Sequence, residues 1–97
     1  MATYGITHFF KGGTKEQYDT TIKAVHPDEG KSLPPGQIYH AAGPTEDGFF
    51  IVAIYDSKDE WEKFRDGTLG PTLASLDGGL PGPPVVTSFE IHNEVTA

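Results

Sequence analysis

The 97-residue chain contains no cysteine. Disulfides, thiolate metal sites and catalysis through a thiol are therefore excluded. Basic side chains are also few: seven lysines and arginines stand against fourteen acidic residues, which gives a net charge of −7. Because nucleic acids and anionic lipid surfaces are bound through basic patches, this balance predicts that neither a nucleic acid nor a membrane is a partner.

Long apolar runs are also missing. No segment approaches the length needed to span a membrane, and the first residues, Met-Ala-Thr-Tyr-Gly-Ile-Thr-His, lack the basic and apolar regions of a signal peptide. We therefore expect a cytoplasmic protein. The length predicts one domain, residues 1–97, whose core is thin enough that burial against a second copy is expected to add stability.

The most informative segment runs from Gly48 to Phe64. It begins with Gly-Phe-Phe-Ile-Val-Ala-Ile-Tyr, a strand that is apolar on both faces, and continues into a helix with a capping-box pattern at Ser57 and Glu60. A strand with two apolar faces must be covered on both sides. In so short a chain the helices can cover one side, so we expect a homodimer in which a second copy covers the other.

Turn residues and β-branched or aromatic side chains divide the rest of the chain. They predict three further strands, at residues 3–10, 37–42 and 85–92. Residues 43–48 are predicted to form the hairpin turn into the long apolar strand. Residues 77–84, rich in glycine and proline, are predicted to be a connector without helix or strand.

Two helices are predicted between these strands. The first begins with a capping box at Thr14 and Gln17 and ends before Pro27. Its apolar stripe consists of Tyr18, Ile22 and Val25. The second helix buries Trp61, Phe64 and Leu69. Its predicted breakers are Gly67, Gly70 and Pro71, with a short further turn after them.

The resulting order of elements is βαββαβ. Right-handed crossovers then predict an antiparallel sheet with strand order 4-1-3-2 and both helices on one face. This is the ferredoxin-like α+β fold with one sheet face left bare. The bare face is the one on which we expect the second copy.

Three segments of this pattern also carry a resemblance to known proteins. They are the strand-into-helix segment at residues 51–64, His8 with Gly12-Gly13-Thr14, and Pro35-Gly36-Gln37-Ile38-Tyr39-His40. With them, the chain resembles the dimeric α+β barrel superfamily, and within it the small proteins similar to antibiotic-biosynthesis monooxygenases. The resemblance implies homodimers whose sheets pack face to face, and a pocket in each subunit between sheet and helices.

Characterised members of that superfamily include cofactor-free oxygenases of aromatic quinols and haem-degrading enzymes, so the fold alone does not select a function. Several of their sites use an asparagine and a tryptophan, and haem degraders add a histidine in the second helical region. Here the only asparagine is Asn93, and no histidine lies between His40 and His92. Haem degradation is therefore disfavoured and no cofactor is expected. Trp61 lies where a pocket tryptophan is expected.

Two of the four histidines are the best candidates for chemistry. His8 and His40 come late in strands that run parallel on either side of the third strand, so both are expected at one end of the sheet, near Phe49 and Phe50. His92 is expected at the opposite end, so the four histidines are not expected to form one cluster. Imidazole is the side chain whose ordinary pKa lies nearest working pH, which makes His8 and His40 a possible proton-transfer pair.

The face on which His40 lies depends on strand register. If Gly43 pairs with Gly48, His40 lies opposite Ile51, whereas a bulge would move it to the other face. In that register the residues on its face are Ile38, Ala42, Phe49 and Ala53. The alternative interpretation is that His8 and His40 are each structural, hydrogen-bonded histidines.

The remaining candidates surround this pair. Trp61, Phe49 and Tyr39 are the expected ligand-binding residues. His26, beside Pro27 at a helix end, is expected to interact with the helix dipole. No metal site is expected, because no histidine pair has i, i+4 spacing or a carboxylate in a recognisable arrangement.

The predicted function is cofactor-free oxygenation, or a related proton transfer, on a small aromatic or other apolar metabolite. His8 and His40 would be the acid/base residues and Trp61 a wall of the pocket. A non-catalytic ligand-binding or accessory protein is the second interpretation, and a purely structural dimer is the third.

Overall fold

The computed structural model describes residues 3–97. In that range the strands are β1 (Tyr4–Lys11), β2 (Gln37–Thr45), β3 (Gly48–Tyr55) and β4 (Val85–Glu90). The helices are α1 (Lys15–Val25), α2 (Lys58–Phe64) and α3 (Gly70–Ser75). A π-helical turn, Arg65–Leu69, joins α2 to α3, and a short 3-10 turn, Asp28–Gly30, follows α1.

The strands form one sheet in the order β2-β3-β1-β4, and every neighbouring pair is antiparallel. Both α1 and α2 pack against the same side of this sheet, as the main core cluster shows: it consists of Ile6, Val25, Ala53, Tyr55, Trp61 and Phe64. The predicted ferredoxin-like α+β fold is therefore confirmed. Within residues 3–97, no helix is both long enough and apolar enough to cross a membrane.

Successive strand residues point to opposite sides of this sheet. The helix face, the side covered by the helices, receives Ile6, His8 and Phe10 from β1 and their partners Ala53, Ile51 and Phe49 from β3. The open face, the other side, receives the alternate residues, among them Phe50 and Phe89. The ring of Phe89 lies directly against Gly5 of β1, where any larger side chain would collide with it.

The predicted start of each helix is confirmed by its cap. The Thr14 hydroxyl accepts a hydrogen bond from the Gln17 amide at 3.1 Å, and the Gln17 side chain accepts one from the Thr14 amide at 2.9 Å. At α2 the Ser57 hydroxyl accepts from the Glu60 amide at 3.3 Å. Each cap satisfies an amide that has no partner inside the helix.

The second strand is longer than predicted. It continues past Ala42 to Thr45, so the hairpin turn consists of Glu46 and Asp47 alone. Pro44 is tolerated inside β2 because β2 is an edge strand and the missing amide of proline costs no ladder hydrogen bond on its outer side. The prediction that the turn begins at Gly43 is wrong for that reason.

The hairpin register is also shifted from the prediction. Gly48 pairs with Thr45, and His40 therefore lies opposite Ala53, two residues from the predicted partner Ile51. A shift of two residues keeps His40 and Ala42 on their predicted face, whereas a shift of one would reverse it. Ile38, predicted on the same face, is instead 44% exposed. The irregularity in the ladder lies at Ile38, between Gln37 and Tyr39.

The predicted break after α2 is absent. Gly67, Gly70 and Pro71 lie within a helical segment that continues from Lys58 to Ser75. The π turn accommodates them: the Gly70 amide bonds to the carbonyl of Arg65, five residues back. Proline is tolerated at the start of α3 because its missing amide is not needed in a first helical turn.

Candidate functional site

A small cavity lies between the helix face of the sheet and the helices. Its volume is about 40 Å³, which is room for about three water molecules. Among residues 3–97, those lining it include no lysine, arginine, aspartate or glutamate. Its polar lining comes from three histidines, two tyrosines, a glutamine and a threonine: His8, His26, His40, Tyr18, Tyr55, Gln37 and Thr21.

His8 is held in this cavity by strand alternation and by aromatic packing. Its side chain follows Ile6 on the helix face and is 7% exposed. The Trp61 ring lies edge-on to the imidazole with 5.4 Å between ring centroids, and Phe10 stacks at 6.1 Å. Burial lowers the pKa of His8 to about 4, so the ring is neutral at physiological pH.

The ring nitrogens of His8 remain available. Within residues 3–97 no buried polar side-chain atom lacks a hydrogen-bond partner, and the hydrogen bonds of that range include none to His8. Its nitrogens are therefore not fully enclosed, and His8 is one of the residues that line the cavity. A molecule in the cavity can reach this imidazole directly.

His40 enters the same cavity from β2, but both of its ring nitrogens are engaged. Its Nε2 lies 2.7 Å from the Tyr18 hydroxyl, and its Nδ1 lies 3.1 Å from Oε1 of Gln37. The Gln37 amide in turn donates to the Tyr55 hydroxyl at 2.7 Å. Burial, together with the imidazoles of His26 and His8, lowers the pKa of His40 to about 4.

His26 is a cavity residue that the sequence interpretation missed. It caps the C-terminus of α1 through its backbone amide, which bonds to Ile22 at 2.9 Å, but its ring is buried and lies 4.7 Å from the His40 ring centroid. Burial lowers the pKa of His26, and a hydrogen bond with the Ser32 backbone opposes that effect. A detectable signal existed, because His26 follows Ile22 by four residues and so extends the buried stripe of α1.

Three histidines are therefore brought together. The separation of His92 from them agrees with the sequence interpretation, since it follows β4 and is exposed. Despite the clustering, no group of three histidine, aspartate or glutamate side chains in the described residues has the geometry to hold a metal ion.

The three predicted ligand-binding residues have separate locations. Trp61 is buried and lines the cavity. Phe49 is also buried, and its ring centroid lies 4.9 Å from that of Tyr18, on which it stacks. Phe49 does not form part of the cavity wall. Tyr39 is 51% exposed and lies on the open face, because it precedes His40 and successive strand residues alternate. The structure thus places Tyr39 outside the site.

An open groove of about 390 Å³ lies directly outside the cavity, between the π turn, α3 and β4. The residues that border both spaces are His8, Trp61, Leu69 and Leu73. Leu69 ends the π turn and Leu73 lies in the middle of α3. These two leucines therefore form part of the wall between the groove and the histidines.

Comparison with known proteins shows a shared fold. The chain is similar to SnoaB, a cofactor-independent oxygenase from Streptomyces nogalater, with a TM-score of 0.63 and 12% sequence identity over 99% of this chain and 98% of that one. No protein-family model and no curated protein sequence matches the chain. At this identity the similarity establishes the architecture and leaves the chemistry to be argued from the site.

Proposed function

We propose that this protein binds a small uncharged aromatic metabolite in the histidine-lined cavity and catalyses its cofactor-free oxygenation or a related proton transfer. The observation that carries this proposal is the grouping of His8, His26 and His40, all neutral at physiological pH, in a wall that has no charged side chain. Neutral imidazoles can accept a proton, and an apolar wall selects an uncharged substrate. The fold shared with a cofactor-independent oxygenase supports the same class of reaction.

The chemistry begins with removal of a proton from a phenol, a quinol or a carbon between conjugated groups. The resulting anion transfers electrons to dioxygen without help from a metal or flavin. When a CH₂ group is converted to a carbonyl, one oxygen atom enters the substrate and the other leaves as water. His8 accepts a proton directly, and His40 is reached through Tyr18.

Substrate entry requires the cavity to enlarge. Pockets that hold drug-sized ligands have volumes of roughly 300–1,000 Å³, far above the cavity of about 40 Å³ seen between the helices and sheet. We propose that Leu69 and Leu73 move apart and join the cavity to the adjoining groove. Leu69 ends a π turn and Leu73 lies in the helix that follows it, which supports this motion, because π turns interrupt regular helix packing and occur often at functional sites.

The small cavity volume also favours a second candidate. A protein that only binds a small apolar molecule needs no base, and the lowered pKa of His8 and His40 makes both imidazoles weak bases. The second candidate function is therefore non-catalytic binding in the same cavity. The two candidates differ in one observable, which is proton transfer to or from the bound molecule.

We also propose that the working form is a homodimer with the open faces of two sheets packed together. In a single chain the open face exposes three large apolar residues: Phe50 (38%), Val85 (66%) and Phe89 (50%). Exposed apolar patches of this kind mark association surfaces. A second copy supplies a matching apolar sheet face. It would leave the cavity, on the opposite side of the sheet, free to bind substrate.

Oxygen consumption and ligand binding together test the functional proposal. We expect uncharged phenols and quinols to consume oxygen faster with the protein than by autoxidation, and His8→Gln and His40→Gln to lower that rate by about a hundredfold. The emission of Trp61, the only tryptophan, should be quenched by α-naphthol but not by α-naphthoate. Quenching without oxygen consumption would support the binding protein, and the absence of both would contradict the cavity as a ligand site.

A further inference from the structure

A chain of four side chains crosses the cavity wall. It runs from the Tyr18 hydroxyl to His40 Nε2 at 2.7 Å, from His40 Nδ1 to Gln37 Oε1 at 3.1 Å, and from Gln37 Nε2 to the Tyr55 hydroxyl at 2.7 Å. Gln37 is 6% exposed and lies at the start of β2. Buried polar groups of this kind hold a fixed pattern of donors and acceptors, because leaving one unpaired is costly.

The pattern fixes the position of the proton on His40. The amide nitrogen of Gln37 donates to Tyr55, so the oxygen of the same amide faces His40 and can only accept. His40 must therefore carry its proton on Nδ1. A neutral imidazole has a single N–H, so Nε2 is an acceptor, and the Tyr18 hydroxyl donates to it.

We propose that Tyr18 is a catalytic residue that receives the proton of the substrate and relays its own proton to His40, with Gln37 as the positioning residue that sets the direction of the relay. This inference rests on the proposed function and names the group at which proton transfer begins. The Tyr18 proton is directed at His40, so the lone pairs of its oxygen remain for a molecule in the cavity.

The relay moves two protons in one direction. The acidic proton of the substrate passes to the Tyr18 oxygen while the original Tyr18 proton passes to His40 Nε2. The products are a substrate anion, a neutral tyrosine and an imidazolium whose Nδ1–H still donates to Gln37 Oε1. The reverse transfer returns the proton, so no oxidant or further reactant is needed for this step.

The titratable groups around His40 explain why a glutamine orients it. They are His26 at the end of α1, His8 on β1, Tyr18 and Tyr55, and the cavity wall includes no carboxylate. A carboxylate at position 37 would raise the pKa of His40 and favour its charged form, which cannot accept a proton. The neutral amide of Gln37 orients the ring and leaves it uncharged. The preferred substrate is thus one whose anion can pair with the new imidazolium.

Nuclear magnetic resonance of His40 tests the direction of the relay without any substrate. In the wild-type protein, ¹⁵N shifts should show a protonated Nδ1 and an unprotonated Nε2. Gln37→Glu should raise the pKa of His40 by about 1 to 3 units, because a carboxylate stabilises the charged ring. A proton on Nε2 in the wild type would overturn the inference, because the Tyr18 hydroxyl could then no longer donate to His40.

Hydrogen exchange of a carbon acid tests proton transfer separately from oxygenation, because the anion need not accumulate on a base as weak as His40. In D₂O without oxygen, 2-indanone should exchange its acidic CH₂ hydrogens faster with the wild type than in buffer, and Tyr18→Phe should abolish that acceleration. Tyr4→Phe, which removes a hydroxyl outside the cavity, is the matched control and should retain it. Accelerated exchange without oxygen consumption once oxygen is admitted would refute the oxygenase and keep the relay. Acceleration that persists in Tyr18→Phe, or that is missing in the wild type, would overturn the relay.

Discussion

On the helix face, β1 places Ile6, His8 and Phe10 almost entirely out of solvent, whereas on the open face Phe50 and Phe89 are 38% and 50% exposed. The same strands build both faces, since side-chain direction alternates with each residue. The three clustered histidines all lie on the helix side. The comparison teaches that one sheet separates the proposed catalytic site from the proposed dimer surface, so the two can be altered independently.

The largest expected effect comes from placing charge on the open face. Val52→Glu combined with Ile54→Glu should weaken the proposed dimer by roughly a thousandfold, because like charges would face each other in a dry interface. Sedimentation at micromolar concentration should then show monomer or aggregate. Ala24→Glu, at an exposed position of α1, adds one such charge away from the open face and should leave the dimer intact. A compact wild-type monomer would contradict the packing of sheet on sheet.

The second effect is a loss of stability in acid, which arises from His8 on the helix face. The folded-state pKa of His8 is about 4, below its ordinary value of 6.5, so the unfolded chain binds more protons between these values. The contribution of neutral His8 to the free energy of unfolding is therefore fully present above pH 6.5, and it is lost as the pH drops towards 4. For His8 alone the loss is about 3 kcal/mol.

Urea titrations across that pH range measure this loss. His8→Phe keeps a ring in place but removes the titration, so its stability should fall less steeply with acid than that of the wild type. An equal slope in both proteins would mean that the pKa of His8 is the same in the folded and unfolded states. Substitutions on the open face should leave the slope unchanged.

The histidines also show how far the sequence could lead. The order of elements predicted the fold and placed His8 and His40 at one end of the sheet, but it left open which face each side chain takes. The structure shows that both lie on the helix face and line the cavity. His26 was missed because a residue next to Pro27 was interpreted as a helix end alone. The prolyl residue does end α1, but the side chain before it still continues the apolar stripe. Cap and core positions can coincide at a helix terminus.

Other errors came from local rules that tertiary structure overrides. Pro44 was interpreted as part of a turn. It lies instead in the edge strand β2, whose outer side has no neighbouring strand, so the missing amide costs no hydrogen bond there. The register moved by two residues as a result, and only the even shift kept His40 on the predicted face. The hydrogen-bond chain through Gln37 could not be predicted, because it depends on the irregularity at Ile38 that sets where Gln37 lies.

A third prediction concerns the wall between cavity and groove. Leu69→Ala should let α-naphthol enter faster, by about tenfold in association rate if side-chain motion limits entry, and should cost no more than about 2 kcal/mol because Leu69 is only partly buried. Stopped-flow quenching of Trp61 measures the rate. Leu33→Ala removes an exposed leucine far from the wall and should change nothing. An unchanged rate in Leu69→Ala would place the entrance elsewhere.

The smallest expected effect comes from the cap of α2, which belongs to neither face of the sheet and so serves as a reference. Ser57→Ala should lower the free energy of unfolding by about 1 kcal/mol, because the hydroxyl satisfies the Glu60 amide at the start of α2. Denaturant titration at neutral pH measures it. The dimer and the acid slope should stay as in the wild type. A change near zero would mean that water replaces the cap without loss.

The π turn at Arg65–Leu69 has the geometry of a single residue inserted into an otherwise regular helix. Each residue of an α-helix turns the chain by about 100°, so one residue more or fewer rotates everything that follows. The π turn takes up its extra residue locally, because the Gly70 amide bonds to a carbonyl five residues back, so α3 continues in the phase of α2. Deleting Gly67, where an added side chain would meet open space, should therefore restore a regular helix and leave Leu73 beside the histidines. This turn is the place where the segment can gain or lose one codon while the cavity keeps its wall.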